Sequence, residues 1–205
     1  MWAPDAAGMI CFESWDGLWG HMDLKGNILA SPRYVLGSGG ERLRYRFSHG
    51  YAVLEDFGED FPDTARWVIL NTAGDEMFSR CSYPEDASFR LCGDVLENGL
   101  VWYETEEGYG LMKVADRGVE TISGPVFEQS LGCEWYEDDE DSCFSEGLHP
   151  VSQNGFWGYI DERAEFVIPP QYGSADNFRD GLALVEKDGK LMYIDPSGAV
   201  VWEER

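Results

Sequence analysis

The chain has 205 residues, 39 of them Asp or Glu against 15 Lys or Arg, for a net charge of −24; 43% are hydrophobic and 14% aromatic. That balance excludes roles that begin with holding phosphate, since counterion release on nucleic acid needs a basic face and an anionic leaflet attracts clustered Lys and Arg. The aromatic content is too high for a disordered acidic chain, so a packed core is expected, and at this length a single domain over residues 1–205 is the default.

The first residues, Met1-Trp2-Ala3-Pro4-Asp5, lack the basic and apolar stretches of a leader, and no segment approaches the roughly 18 apolar residues of a membrane span. The expectation is a soluble cytoplasmic protein with no membrane and no nucleic acid among its partners. Five cysteines, Cys11, Cys81, Cys92, Cys133 and Cys143, contain no Cys-x-x-Cys pair, which points to reduced thiols, some of them core residues.

One pattern recurs along the chain. Aligned on the glycine that opens an apolar run, its copies start at Gly8, Gly50, Gly99, Gly147 and Gly181, at spacings of 42, 49, 48 and 34 residues. In the last copy Leu182 to Glu186 is followed by Asp188-Gly189 and then by Leu191 to Asp195. An Asp-Gly pair between two such runs predicts a tight hairpin, and Asp16-Gly17 and Asn154-Gly155 repeat it. After the second run Asp or Asn precedes Gly by three residues (Asp23 and Gly26, Asn71 and Gly74, Asp195 and Gly198), the chemistry of a type I turn, and a third short strand follows.

No stretch carries a sustained helical period, so the fold class is all-β: five tandem three-stranded antiparallel meanders, packed as a propeller-like ring or an open solenoid-like stack. The motif Gly155-Phe156-Trp157-Gly158-Tyr159-Ile160-Asp161, then Val167-Ile168-Pro169-Pro170-Gln171-Tyr172, then Phe178-Arg179-Asp180-Gly181-Leu182-Ala183-Leu184-Val185, resembles the bacterial WG-repeat family. The match is dense from about Gly147 onward and thins upstream, where Trp67-Val68 and Tyr109-Gly110 stand for Trp-Gly; Leu191-Met192 replaces it in the last copy. The resemblance implies a bacterial all-β repeat protein and little about its chemistry. The repeat rings Trp19, Trp67, Trp157 and Tyr109 are expected in the shared core, with Leu191 as a core aliphatic in their place.

Candidate chemistry is sparse. His21, His49 and His149 sit at different points of the repeat, and no catalytic or phosphate-binding motif is present, so the chain is expected to be no enzyme and to carry neither cofactor nor metal. The insertions, at about 37–46, 79–93 and 128–143 with a shorter one after Leu54, differ from copy to copy and so are not explained by the repeat. The third surrounds Trp135 and Tyr136 with Glu128, Glu134, Glu137, Asp138, Asp139, Glu140 and Asp141, and the loop after Leu54 places Phe57 and Phe61 among Glu55, Asp56, Glu59, Asp60 and Asp63. Aromatic anchors among charges are the composition of an interface. The candidate partner contact is therefore Glu134, Trp135, Tyr136, Glu137, Asp138, Asp139 and Asp141, with Asp56, Glu59 and Phe61 secondary, and the expected partner is a basic protein. An immunity protein that covers the groove of a basic nuclease toxin, as a nucleic-acid mimic, fits this reading; a generic WG-repeat interaction scaffold is the alternative.

Overall fold

A computed structural model describes residues 8–35, 47–57, 65–81, 89–131 and 144–205. Among these residues there are no helices, so none is long and apolar enough to cross a membrane, and eighteen strands form five antiparallel sheets. The first sheet holds β1 (Met9–Glu13), β2 (Trp19–Asp23) and β3 (Ile28–Tyr34); the second holds β4 (Tyr51–Asp56), β5 (Arg66–Asn71) and β6 (Glu76–Cys81). The other three gain a short strand ahead of the meander. They are β7 (Arg90–Cys92) with β8 (Leu100–Thr105), β9 (Gly108–Ala115) and β10 (Gly118–Phe127); β11 (Gln129–Ser130) with β12 (His149–Gln153), β13 (Phe156–Ile160) and β14 (Phe166–Tyr172); and β15 (Ser174–Ala175) with β16 (Ala183–Lys187), β17 (Lys190–Ile194) and β18 (Val200–Glu203). The chain divides into two compact units, Met1–Val101 with Lys113–Glu120 and Trp102–Met112 with Thr121–Arg205.

Turn chemistry sets the repeat. In Ser145-Glu146-Gly147-Leu148 both central residues are left-handed, Glu146 at φ 55° and Gly147 at φ 79°, and the flanking residues exchange Ser145 N–H to Leu148 O (2.9 Å) and Leu148 N–H to Ser145 O (3.0 Å). His49-Gly50 and Asp180-Gly181 repeat that conformation, which only glycine adopts without cost at its second position. The Asn154-Gly155 and Asp188-Gly189 hairpins are also left-handed at both residues, as the sequence predicts. Asp16-Gly17 differs. There Gly17 alone is left-handed, because Ser14 N–H reaches Leu18 O at 2.8 Å and encloses three residues rather than two.

The Asp-x-x-Gly turns close by side chain and backbone together. Asp195 Oδ1 accepts the amides of Ser197 (2.9 Å) and Ala199 (3.0 Å) while Gly198 N–H donates to Asp195 O (2.8 Å); Asp23 and Asn71 do the same. In the fourth sheet Asp161 plays this part, and the left-handed position falls to Ala164, at φ 60°.

The Trp-Gly and Pro-Pro signatures turn out to be two sides of one feature. β14 bulges where it passes β13, so that Trp157 faces Tyr172 and Tyr159 faces Ile168, and its backbone crowds the glycine between them. A Cβ on Gly158 would stand 2.5 Å from Ile168 O and 2.7 Å from Pro170 N. Gly20 meets Ala30 O (2.6 Å) and Pro32 N (2.8 Å) in the same way. Val68 and Met192 are tolerated in the second and fifth sheets because their partners there, Ser79 and Glu203, pair in regular register.

Sheets bury their faces against one another. In one compact unit Cys11, Tyr34, Met9 and Trp19 of the first sheet pack with Phe47, Ala52, Leu54, Val68 and Leu70. In the other, Tyr159, Ile168 and Tyr172 pack with Ala175, Phe178, Ala183, Val185 and Ile194. At both junctions the rule is that one sheet's outward face is covered by the Phe-x-x-Gly phenylalanine and the first two strands of the next. His21 meets Phe47 at 4.6 Å and Tyr159 meets Phe178 at 4.8 Å in equivalent positions, and Tyr159 Oη donates to Asp176 O at 2.8 Å. Burial pushes the phenol of Tyr159 far above its ordinary pKa.

The repeat rings follow this rule. Trp67 is buried, and Trp19 and Trp157 are partly buried against the two clusters. Leu191 departs from expectation: it is 42% exposed rather than a core aliphatic, because its sheet face lacks the cover that Trp157 receives.

Candidate partner-binding site

The acidic insertion of the fourth sheet is anchored at both ends, by β12 on the incoming side and by Trp102 and Phe178 on the outgoing side. On the incoming side Ser130 pairs with Val151, Leu131 N–H reaches Pro150 O at 3.5 Å, and Ser130 Oγ bonds His149 Nε2 at 2.9 Å in a buried contact. On the outgoing side Phe144 stacks on Trp102 (6.3 Å between ring centres, 8° between planes), and Ser145 Oγ donates to Phe178 O. Glu128 is also structural, since its carboxylate accepts Gly155 N–H at 2.8 Å and steadies the β12–β13 hairpin. Residues 132–143, and with them Glu134, Trp135, Tyr136, Glu137, Asp138, Asp139 and Asp141, lie outside the described residues.

Of the secondary set, Glu59 and Phe61 also lie outside the described residues, whereas Asp56 is placed and is corrected. It is 4% exposed, accepts Val35 N–H at 2.9 Å and pairs with Arg66 at 3.1 Å. A buried carboxylate committed to a backbone amide and a guanidinium is part of the scaffold, not a contact surface. The two insertions also leave at different points of their repeats. The 132–143 segment precedes the first meander strand, β12, while 58–64 follows its counterpart β4, so the two insertions enter the repeat at different points of the sequence.

Arg66 organises a charge network that no sequence motif announced. It bonds Glu76 at 2.8 Å and Ser79 at 2.9 Å as well as Asp56, while Tyr34 Oη donates to Glu76 at 3.0 Å and receives Arg33 Nη2 at 2.6 Å. Burial pushes the Tyr34 phenol up to about 12. Burial also works to raise the Glu76 carboxyl, but the hydrogen bond and charge of Arg66, with Tyr34 and Arg33, outweigh it and hold Glu76 below its usual value.

Two features escaped sequence reasoning. Trp15, at the tip of the β1–β2 loop beside Asp16, is fully exposed. The Ser14 hydroxyl, bonded to Asp16, and the backbone lower the Asp16 pKa, so this is an anionic turn carrying a ring. The other is the apolar outer face of the fifth sheet, with Leu191, Tyr193 and Trp202 exposed. Its one signal was Val200-Val201-Trp202, three consecutive apolar residues in the last strand. Among the described residues no group of three or more His, Cys, Asp or Glu could hold a metal ion.

The fold and its junctions define a tandem array of small antiparallel sheets. A family model described as a WG containing repeat matches residues 157–190. That stretch runs from β13 to the start of β17 and contains most of the cluster around Tyr159 and Phe178, so the sequence unit is a junction between two sheets rather than one sheet. No curated protein matches the chain. Among solved structures it is similar to Hsv2 of Kluyveromyces lactis, with 12% identity over 97% of this chain and 60% of that one at a TM-score of 0.40. It is similar also to the complex of the fission yeast SREBP–SCAP binding domains (10% identity, 99% and 59%, TM-score 0.38) and to the WD40 domain of fission yeast SCAP (11%, 98% and 54%, TM-score 0.33). The chain thus spans 54% to 60% of the length of those three structures.

Proposed function

We propose that the chain is a non-catalytic acidic binding protein whose partner is a strongly basic protein, and that it acts as an immunity protein covering the active groove of a basic antibacterial toxin of the nuclease class. The observation that carries the reading is the charge: an excess of 24 negative charges, with twelve carboxylates in the 128–143 insertion and the stretch after Leu54, which the repeat does not need and which also carry Trp135, Tyr136 and Phe61. A field of that sign raises the association rate of a cationic partner by roughly 10- to 1000-fold at low ionic strength, and buried rings slow its release. Nuclease domains are basic because they hold phosphate, and a carboxylate-rich loop presents a comparable array of anions. The exposed Trp15 beside Asp16 has the same composition on a smaller scale.

A second reading is a general interaction scaffold, which the WG containing repeat at 157–190 favours. Stopped-flow association with a panel of purified basic bacterial nuclease domains separates the two. An inhibitor blocks one of them, with an on-rate that falls steeply as salt rises, and neutralising Glu134, Glu137, Asp138, Asp139 and Asp141 together slows association. Binding that ignores salt and survives the neutralised loop belongs to the scaffold.

A further inference from the structure

The five sheets carry one residue each at the middle of the second meander strand: His21, Ile69, Leu111, Tyr159 and Tyr193. The first four are 0% exposed and the fifth is 41% exposed. The contrast extends across the face. Ile168, opposite Tyr159, is 2% exposed, while Trp202, opposite Tyr193, is 50% exposed, with Leu191 at 42%. Tyr193 and Trp202 rest on each other at 6.0 Å between ring centres. The fifth sheet therefore ends in the same kind of apolar face that the preceding sheets bury, without cover.

The reciprocal half is present on the first sheet. Leading-face residues of later sheets are buried: Ala52 and Leu54 at 0% and 4%, Val101 and Tyr103 at 0% and 6%, Ala183 and Val185 at 1% each. Their counterparts Ile10 and Phe12 are only partly buried, as is Met22, the counterpart of the fully buried Ile160 and Ile194. One chain thus leaves a covered half of its internal junction exposed and a covering half only partly buried.

We propose that the outer face of the fifth sheet, Leu191, Tyr193 and Trp202, docks the first sheet of a second copy of this chain through Ile10, Phe12 and Met22, head to tail, in the geometry of the internal junctions. Such an interface is heterologous, so it continues beyond a pair and builds a ring or a chain of copies. Two chains of net charge −24 repel each other, so added salt strengthens the contact, opposite to its effect on a basic partner. This inference does not rest on the toxin-inhibitor reading, and the sign of the salt response tells the two apart.

Sedimentation velocity on the 205-residue chain over a concentration series, at about 50 mM and about 500 mM salt, tests it. Species larger than the monomer should grow with concentration and with salt. Y193E/W202E, altered only at exposed positions, should stay monomeric with its fold intact by circular dichroism. Phe12→Glu, or Met22→Glu where the former does not fold, should also be monomeric alone, yet should form a one-to-one pair when mixed with Y193E/W202E. A wild-type chain that is monomeric throughout overturns the proposal, as does a Phe12→Glu or Met22→Glu chain that folds and still self-associates, because that contact would be face to face.

Discussion

The fourth and fifth sheets end their second strands alike, on Tyr159-Ile160 and Tyr193-Ile194, yet one tyrosine is fully buried and the other 41% exposed. The side chains do not differ; the cover does. Phe178 and the β15–β16 edge close over Tyr159, and nothing among the described residues closes over Tyr193 in the same way. Burial in a tandem array is thus a property of the junction, and a residue's contribution to stability follows its neighbour sheet rather than its own strand.

The comparison can be broken most directly at the tyrosines. Tyr159→Ala empties a fully packed site and should cost about 3–5 kcal/mol in chemical denaturation, whereas Tyr193→Ala in the monomer should change stability by about 0.5 kcal/mol or less. Equal losses at the two positions would sink the junction account. Gly158→Ala comes next: its methyl would meet Ile168 O at 2.5 Å on the bulged strand, and the expected loss is about 1–3 kcal/mol. At Met192, where the strand pairs in register, side chains are already accepted, so Met192→Ala should cost less than Gly158→Ala.

How far the sequence carried the reading depends on the range of each signal. The five sheets, their strand order and most of their turns, though not Asp16-Gly17, were legible because Asp-Gly pairs and Asp-x-x-Gly spacings act within a few residues. The short strands β7, β11 and β15 were not, since two or three residues carry no period. Asp56 read as a loop acid because its partner Arg66 lies across a hairpin and the amide of Val35 lies just past β3, far back in the sequence. Leu191 read as core by analogy with Trp157, and the analogy failed because sequence identity of a strand says nothing of what packs upon it. The Trp-Gly and Pro-Pro pairs were visible as motifs, but their common cause, a bulge pressing backbone onto Gly158, needed the register.

Smaller effects sharpen the contrast between junction and surface. Glu76 titrates below its unfolded value, so it contributes stability at pH above the unfolded carboxylate range and loses that contribution as pH falls through its lowered folded pKa. Glu76→Gln should flatten that acid limb in thermal melts between about pH 5 and pH 2, and an unchanged profile would mean that the Arg66 network adds no pH-dependent stability. Ala164 occupies a left-handed position at φ 60° that glycine fills in equivalent turns, so Ala164→Gly should raise stability by about 1 kcal/mol. Any measurable loss would show that the turn has relaxed around the alanine.

The central claim concerns the acidic insertion, and its most direct measurement is capture from bacterial lysate at about 50 mM salt, eluted in rising salt steps and read by mass spectrometry, with wild type beside Trp135→Ala. The account predicts one basic protein retained into the high-salt steps by the wild type and released early by the variant, through a loss of about 2 kcal/mol of binding. Many basic proteins leaving together at modest salt, alike from both chains, would contradict it.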